Sequence, residues 1–218
     1  MVVSPFFIVG CARSGTTLLR TMLNQHRKVA IPLESLFIID YLRAENSTPF
    51  PVLKKLLVKE YEIVEWGLNV TIADFNGCST IKDLINRVHH LYLRQHEKEV
   101  WGQKTPRFVR YGDLLRRTYP SAKFIHIVRD PRAVASSLIR SNVHRSNAYF
   151  AALRWVEDVS AGLLLKQKYG EDVFEMRYEE LVSSPRQILY NVCRFLNINF
   201  DESMLSYHKS ERKEYGRY

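Results

Sequence analysis

The residues best placed to do chemistry stand in the run Gly10-Cys11-Ala12-Arg13-Ser14-Gly15-Thr16-Thr17, between a short apolar stretch and a helical pattern. A glycine loop in that position wraps an anion with backbone N–H groups and adds the positive end of the helix. Gly10 and Gly15 keep the separation of a Walker A loop, but Thr16 stands where that loop carries lysine. The lysine reaches the β- and γ-phosphates, so a loop without it is poorly equipped for γ-phosphoryl transfer. Arg13 supplies charge from another direction. A degenerate P-loop kinase is therefore the weaker enzyme reading, and a strand-to-helix turn with two glycines is the plain alternative.

A second segment repeats the arrangement. Ile125-His126-Ile127-Val128 reads as a buried strand that ends in Arg129-Asp130-Pro131, with Ser137 eight residues after Arg129. Arginine offers a fork of donors suited to phosphate. Taken alone, Arg129 and Asp130 read as a local ion pair and Ser137 as a solvated helix residue. Two anion-type junctions in one chain are harder to dismiss.

These loops need elements to hold them. Pro5 to Val9 and Lys123 to Val128 are continuous apolar runs, the mark of strands buried on both faces, and Asp172 to Arg177 is a third strand. Helical spacing covers 16–25, 34–43, 52–64, 80–97, 107–118, 148–169 and 185–196. Alternating strands and helices predict an α/β domain whose parallel sheet is covered by helices on both faces. No repeat or boundary divides the 218 residues.

Composition narrows the classes. With 46% hydrophobic and 25% charged residues the chain is an ordinary globular one, and its net charge of +9 attracts polyanions. The basic residues are spread rather than clustered among aromatics, which disfavours nucleic acid. Cys11, Cys78 and Cys193 have no metal-ligand spacing and fit a reduced, cytoplasmic protein; no metal is expected. The N-terminus lacks the pattern of a signal peptide, and no stretch approaches the length of a membrane span.

The run RSGTT after the first strand, followed by IVRDPRAVASS, resembles the paired binding motifs of the sulfotransferases, and the likeness extends from about Pro5 to Leu205. It is most similar to the tyrosylprotein and Golgi-type branch, whose RSGTTL with a later His and Glu corresponds to Arg13–Leu18, His26 and Glu34. The resemblance implies a P-loop-type parallel sheet and 3′-phosphoadenosine 5′-phosphosulfate (PAPS) as donor. Arg13, Ser14, Gly15, Thr16 and Thr17 would take the 5′-phosphosulfate, and Arg129 and Ser137 the 3′-phosphate. Tyr178, in the run Phe174 to Leu181, would approach the nucleotide. Two departures stand out: Arg140 falls out of register with the arginine some relatives carry, and the family's C-terminal nucleotide-covering segment is not evident before Tyr218. The expectation is one sulfotransferase-like domain, 1–218, lacking that segment, with Lys209 to Lys213 as its start.

Sulfuryl transfer needs an in-line arrangement and fixed cations around the transferring group. The resemblance implies Glu34 as general base, Lys104 at the leaving oxygen and Arg13 assisting it. Read without the resemblance, Glu34 is a helix-start glutamate favoured by the dipole, and Lys104 a surface lysine before a turn. His89 or His90 is a rival base, because cytosolic sulfotransferases use a histidine; His126 reads as structural. The acceptor is expected to be a hydroxyl on a sugar, a tyrosine or a small alcohol, with the basic balance favouring an anionic one. The segment 41–102, with Tyr41, Phe50, Tyr61, Trp66 and Phe75, is expected to shape its pocket. A catalytically silent module that binds nucleotides or polyanions is the alternative.

Overall fold

Successive residues of β1 (Phe6–Gly10) enter two different cores, as an apolar run without polar alternation requires. Phe7 and Val9 pack with Trp101, Phe108 and Phe124 on one face. Phe6 and Ile8 pack with Leu19, Leu23, Ile125 and Ile127 on the other. The computed structural model describes residues 4–141 and 146–209. The tail from Ser210 to Lys213 therefore lies outside the described residues.

β1 is the centre of a five-stranded sheet with β2 (Val29–Ala30), β3 (Val100–Lys104), β4 (Lys123–Val128) and β5 (Val173–Arg177). The order is β2-β3-β1-β4-β5 and every pairing is parallel. Ten α-helices are described: α1 (Thr16–Asn24), α2 (Phe37–Ala44), α3 (Phe50–Leu57), α4 (Tyr61–Glu65), α5 (Ile81–Gln95), α6 (Gly112–Thr118), α7 (Pro131–Ile139), α8 (Ala148–Tyr169), α9 (Tyr178–Ser183) and α10 (Pro185–Leu196). Residues of α2 to α6 and α8 join the core containing Phe7, and those of α1, α9 and α10 join the core containing Phe6. The α/β sheet with helices on both faces is as the sequence predicts.

Several boundaries differ. The helix expected over 52–64 is two, α3 and α4, with Pro51 in the first turn of α3. The helix expected from Arg107 opens as a 3-10 segment, Pro106–Tyr111, before α6. The one expected from Glu34 starts only at Phe37, which leaves Glu34 in the preceding loop.

In a parallel sheet all strands deliver their carboxyl ends to one edge, where ligands of open α/β sheets bind. Register puts Ile8 opposite Lys104 and Gly10 opposite Ile127, so the first loop, Lys104 and Arg129 emerge side by side.

Candidate functional site

The first loop turns sharply. Arg13 and Gly15 both have positive φ, 70° and 90°, and Ser14 N–H donates to the Cys11 carbonyl at 3.2 Å. A left-handed arginine costs about 1–2 kcal/mol, which the surrounding contacts must offset. Gly15 caps α1 with no side-chain bond to the first-turn N–H groups. A Cβ there would lie 2.2 Å from the ring of Tyr178, so only glycine lets that ring close against the loop. Ser14 and Thr16 are buried, and Ser14 Oγ has no hydrogen-bond partner among the described residues. Burial holds the neighbouring Cys11 thiol protonated, pushed up to about 12, with Asp158 acting in the same direction.

The second junction interlocks with the first. Asp130 caps α7 by accepting from Arg132 N–H at 2.8 Å, and the Arg132 side chain holds its carboxyl well below the usual range. Asp130 thus pairs with Arg132 (2.7 Å), not with Arg129 as the sequence suggests. Arg129 instead donates from one guanidinium nitrogen to the Arg13 carbonyl at 2.9 Å and lies 4.2 Å from the centre of the Tyr178 ring. Trp155 Nε1 donates to the Arg129 carbonyl at 2.9 Å. Arg13 Nε donates to Ser137 Oγ at 3.0 Å. Arg13, the arginine expected to assist Lys104, thus reaches Ser137. Arg140 is exposed at the end of α7.

Lys104 ends β3 with its side chain 4% exposed. Its Nζ donates to Thr17 Oγ1 at 3.2 Å and forms an ion pair with Glu34. It is a buried lysine, not a surface one. Glu34 sits on a strap whose backbone is tied on both sides. Arg20 Nε donates to the carbonyls of Ile31 and Pro32 (3.0 and 2.9 Å), and Gln103 Nε2 to that of Leu33 (3.0 Å). Beyond Glu34, Thr105 Oγ1 accepts from Ser35 N–H (3.2 Å) and donates to the Ser35 carbonyl (3.0 Å). The Glu62 carboxylate accepts from Leu36 and Phe37 N–H at 2.8–2.9 Å.

Beside this strap opens a cleft of about 700 Å³, whose walls include Glu34, Glu62, Arg107, Phe150, Leu153 and Arg154. Its makers differ from expectation. Of the segment 41–102 only Glu62 lines it, while Tyr41, Trp66 and Phe75 are buried in the core, Phe50 packs against it and Tyr61 is exposed. The apolar wall comes from α8, which sequence reading did not connect with the site. Thr105 and Glu62 were also missed; no local pattern marks a carboxylate that binds backbone far along the chain.

The histidines lie elsewhere. His89 is buried, its Nδ1 2.8 Å from the Ile85 carbonyl and its ring stacked on Trp101 at 3.8 Å, and burial pulls its pKa down to about 4. His90 is exposed on α5, and neither lines the cleft. His126 is buried with Nδ1 3.0 Å from Glu175, beneath Gly162 of α8, where a Cβ would meet its ring at 2.1 Å. His26 is also buried, accepting from Lys28 N–H at 3.0 Å and meeting the Asn199 carbonyl at 2.9 Å. Among the described residues no group of His, Cys, Asp and Glu is arranged to hold a metal, and no helix is long and apolar enough to cross a membrane.

Residues 5–202 match the model of the sulfotransferase family. The protein-tyrosine sulfotransferase of Drosophila melanogaster is 26% identical over 96% of this chain, which spans 41% of that protein. The sulfotransferase domain of the Synechococcus PCC 7002 olefin synthase is 27% identical, with a TM-score of 0.67 over 94% of this chain and 77% of that one. A mouse sulfotransferase complexed with PAP has a TM-score of 0.51 at 15% identity, over 95% of this chain and 64% of that one, and so shares the fold.

Proposed function

Because this chain belongs to the sulfotransferase family, we propose that it transfers a sulfuryl group from PAPS to a hydroxyl acceptor held in the cleft beside Glu34. The observation that carries the reading is the interlock of the two junctions, Arg13 reaching Ser137 and Arg129 reaching the Arg13 carbonyl, with Lys104 and Glu34 at the other end of the same loop.

The residues present fit a donor with anions at both ends. Among the described residues Ser14 Oγ is a buried hydroxyl without a partner, and the first turn of α1 has N–H groups with no side-chain cap from Gly15. Arg13, Ser14, Gly15, Thr16 and Thr17 would hold the 5′ side, and Arg129, Ser137 and Tyr178 the 3′-phosphate end. The mouse sulfotransferase complexed with PAP, similar in fold, supports this choice. When bound, the donor supplies the sulfuryl group and a nucleotide leaving group.

The chain's own part is electrostatic and proton-handling. Glu34 takes the proton of the acceptor hydroxyl on a carboxylate oxygen, a contribution of about 10²–10⁴-fold. Lys104, freed from Glu34 as the acceptor arrives, turns its ammonium to the developing charge on the leaving oxygen. Its burial keeps water from competing for that charge. Arg13, on the 5′ side of the loop, also reaches Ser137 and so links the two ends of the proposed donor site. Phe150 and Leu153 offer an apolar wall for the acceptor's body, and Arg107 and Arg154 suit an anionic group on it.

Calorimetric titration with 3′-phosphoadenosine 5′-phosphate (PAP) and with 5′-AMP, for wild type and Arg129→Ala, tests the donor. Tight binding that needs both the 3′-phosphate and Arg129 is expected; equal affinity for the two nucleotides refutes the reading. Radiolabelled PAPS with a tyrosine peptide, a phenol and a monosaccharide then screens the acceptor. Nucleotide binding with no transfer to any of them would indicate a silent binding module.

A further inference from the structure

The strap that carries Glu34 is fastened unevenly. On its N-terminal side Arg20, Asn24 and Gln103 bond the backbone from Ile31 to Leu33. On its C-terminal side Thr105 bonds Ser35, and beyond that the fastening falls to Glu62. Leu36, at the N-cap of α2, has no side chain able to accept from the first-turn N–H groups. The Glu62 carboxylate takes that place from another helix, accepting from Leu36 N–H with both oxygens at 2.9 Å and from Phe37 N–H at 2.8 Å. A charged acceptor at a helix N-terminus is roughly twice as strong as a neutral one and is favoured by the dipole.

The carboxylate is itself held from a packed base. Ile63 beside it is buried, and Trp66, one turn on, meets Phe37 of α2 with ring centres 5.4 Å apart. Among the described residues Glu62 forms no ion pair, although it stands on the wall of a cleft that also holds Arg107, Arg110 and Arg154. Its acceptor capacity goes to the strap.

We propose that Glu62 is a positioning residue: it caps α2 in trans and so fixes where Glu34 stands between Lys104 and the cleft. The proposal rests on the reading of Glu34 as general base. It assigns Glu62 no contact with donor or acceptor. A near-attack geometry is lost with displacements of about 1 Å, which can cost about 10²-fold in rate. Freeing the strap on one side of Glu34 is a displacement of that kind.

The test compares Glu62→Ala and Glu62→Gln with wild type by amide hydrogen exchange, PAP titration and steady-state transfer to the acceptor found by the screen. In Glu62→Ala the Leu36 and Phe37 amides are expected to exchange at least ten-fold faster, and kcat to fall at least ten-fold. PAP affinity should stay within three-fold of wild type. Glu62→Gln keeps a carbonyl acceptor at the same reach and should recover most of kcat. Unchanged exchange at Leu36 and Phe37, or unchanged kcat in Glu62→Ala, overturns the proposal. So does a loss of PAP affinity that parallels kcat, or a Gln variant as impaired as the Ala one. The exchange arm needs no turnover, so it decides the capping role even if the wild type transfers nothing and the reading of function fails.

Discussion

Glu34 and Lys104 neutralise each other at the mouth of the glycine loop, one side chain half-exposed to the cleft and the other buried against Thr17. Each holds the group the other needs to release for the proposed transfer. Glu34→Gln is expected to lower kcat by about 10²–10⁴-fold, the range for loss of a general base. Lys104→Met is expected to lower it by about 10²–10³-fold, as loss of one fixed stabilising donor does. The double variant should lose less than the product of the two, because residues in contact are not additive. Steady-state rates with PAP affinity measured alongside decide it; strict multiplication would mean the pair does not act as a unit.

Gly15→Ala should disable the loop in two ways. A Cβ would lie 2.2 Å from the Tyr178 ring, and a φ of 90° is strained for any L residue with a side chain. The strain alone is about 1–2 kcal/mol. Adding Tyr178→Ala removes the collision but not the strain, so the double variant should regain part of the stability lost, read as the midpoint of chemical unfolding. Full recovery would show that the backbone angle costs nothing.

Tyr178 has a second duty under the Arg129 guanidinium, 4.2 Å away. A cation over an aromatic face is stabilised by about 0.5–2 kcal/mol, and the face does not need the hydroxyl. Tyr178→Phe should therefore bind PAP within about two-fold of wild type. Tyr178→Leu should bind up to about 30-fold more weakly, the upper end of what that energy range implies. Equal weakening in both variants would place the contribution in the hydroxyl instead.

Acid should destabilise the fold through its buried imidazoles. Burial pulls His89 down to about 4 from the ordinary 6.5, and pushes His126 the same way against the opposing effect of Glu175. As pH falls below 6.5 the unfolded chain takes up these protons first, so stability is complete above 6.5 and declines toward pH 4. For His89 the total is roughly 3 kcal/mol, at about 1.4 kcal/mol per pH unit. Unfolding midpoints between pH 7.5 and 4.5 should fall less steeply for His89→Gln than for wild type. Identical slopes would remove His89 from the explanation.

The strands that could be read from the sequence are those whose side chains are apolar on both faces. β1 and β4 announce themselves, whereas β3 hides, because Gly102, Gln103 and Lys104 are polar or small yet all five of its residues are buried. Gln103 belongs there because its amide is used up on the Leu33 carbonyl, and Lys104 because Glu34 and Thr17 receive its charge. Such partners lie far away in the chain, beyond the reach of periodicity. Lys104 and Glu34 were legible through the family motif, while the cleft wall was not. α8 is apolar on its inner side at Ala151, Val159 and Leu165 and on its outer side at Tyr149, Val156 and Leu164, so no stripe marks the end that meets the cleft. Glu62 had no signal at all, since its bonds to Leu36 and Phe37 cross the whole of α2 and α3.

The rigid spacing between the two strand ends has a further consequence for how the proposed donor is held. Gly10 and Ile127 sit in register on neighbouring strands, so the anion loop and Arg129 are kept at a fixed separation by the ladder beneath them. A ligand engaged at one end presents its other end at high effective concentration, and the second contact forms as an intramolecular event. Losing either phosphate then forfeits this avidity as well as one set of bonds. If the proposed donor binds here, discrimination between a nucleotide carrying both anions and one carrying a single anion follows from the register of β1 and β4.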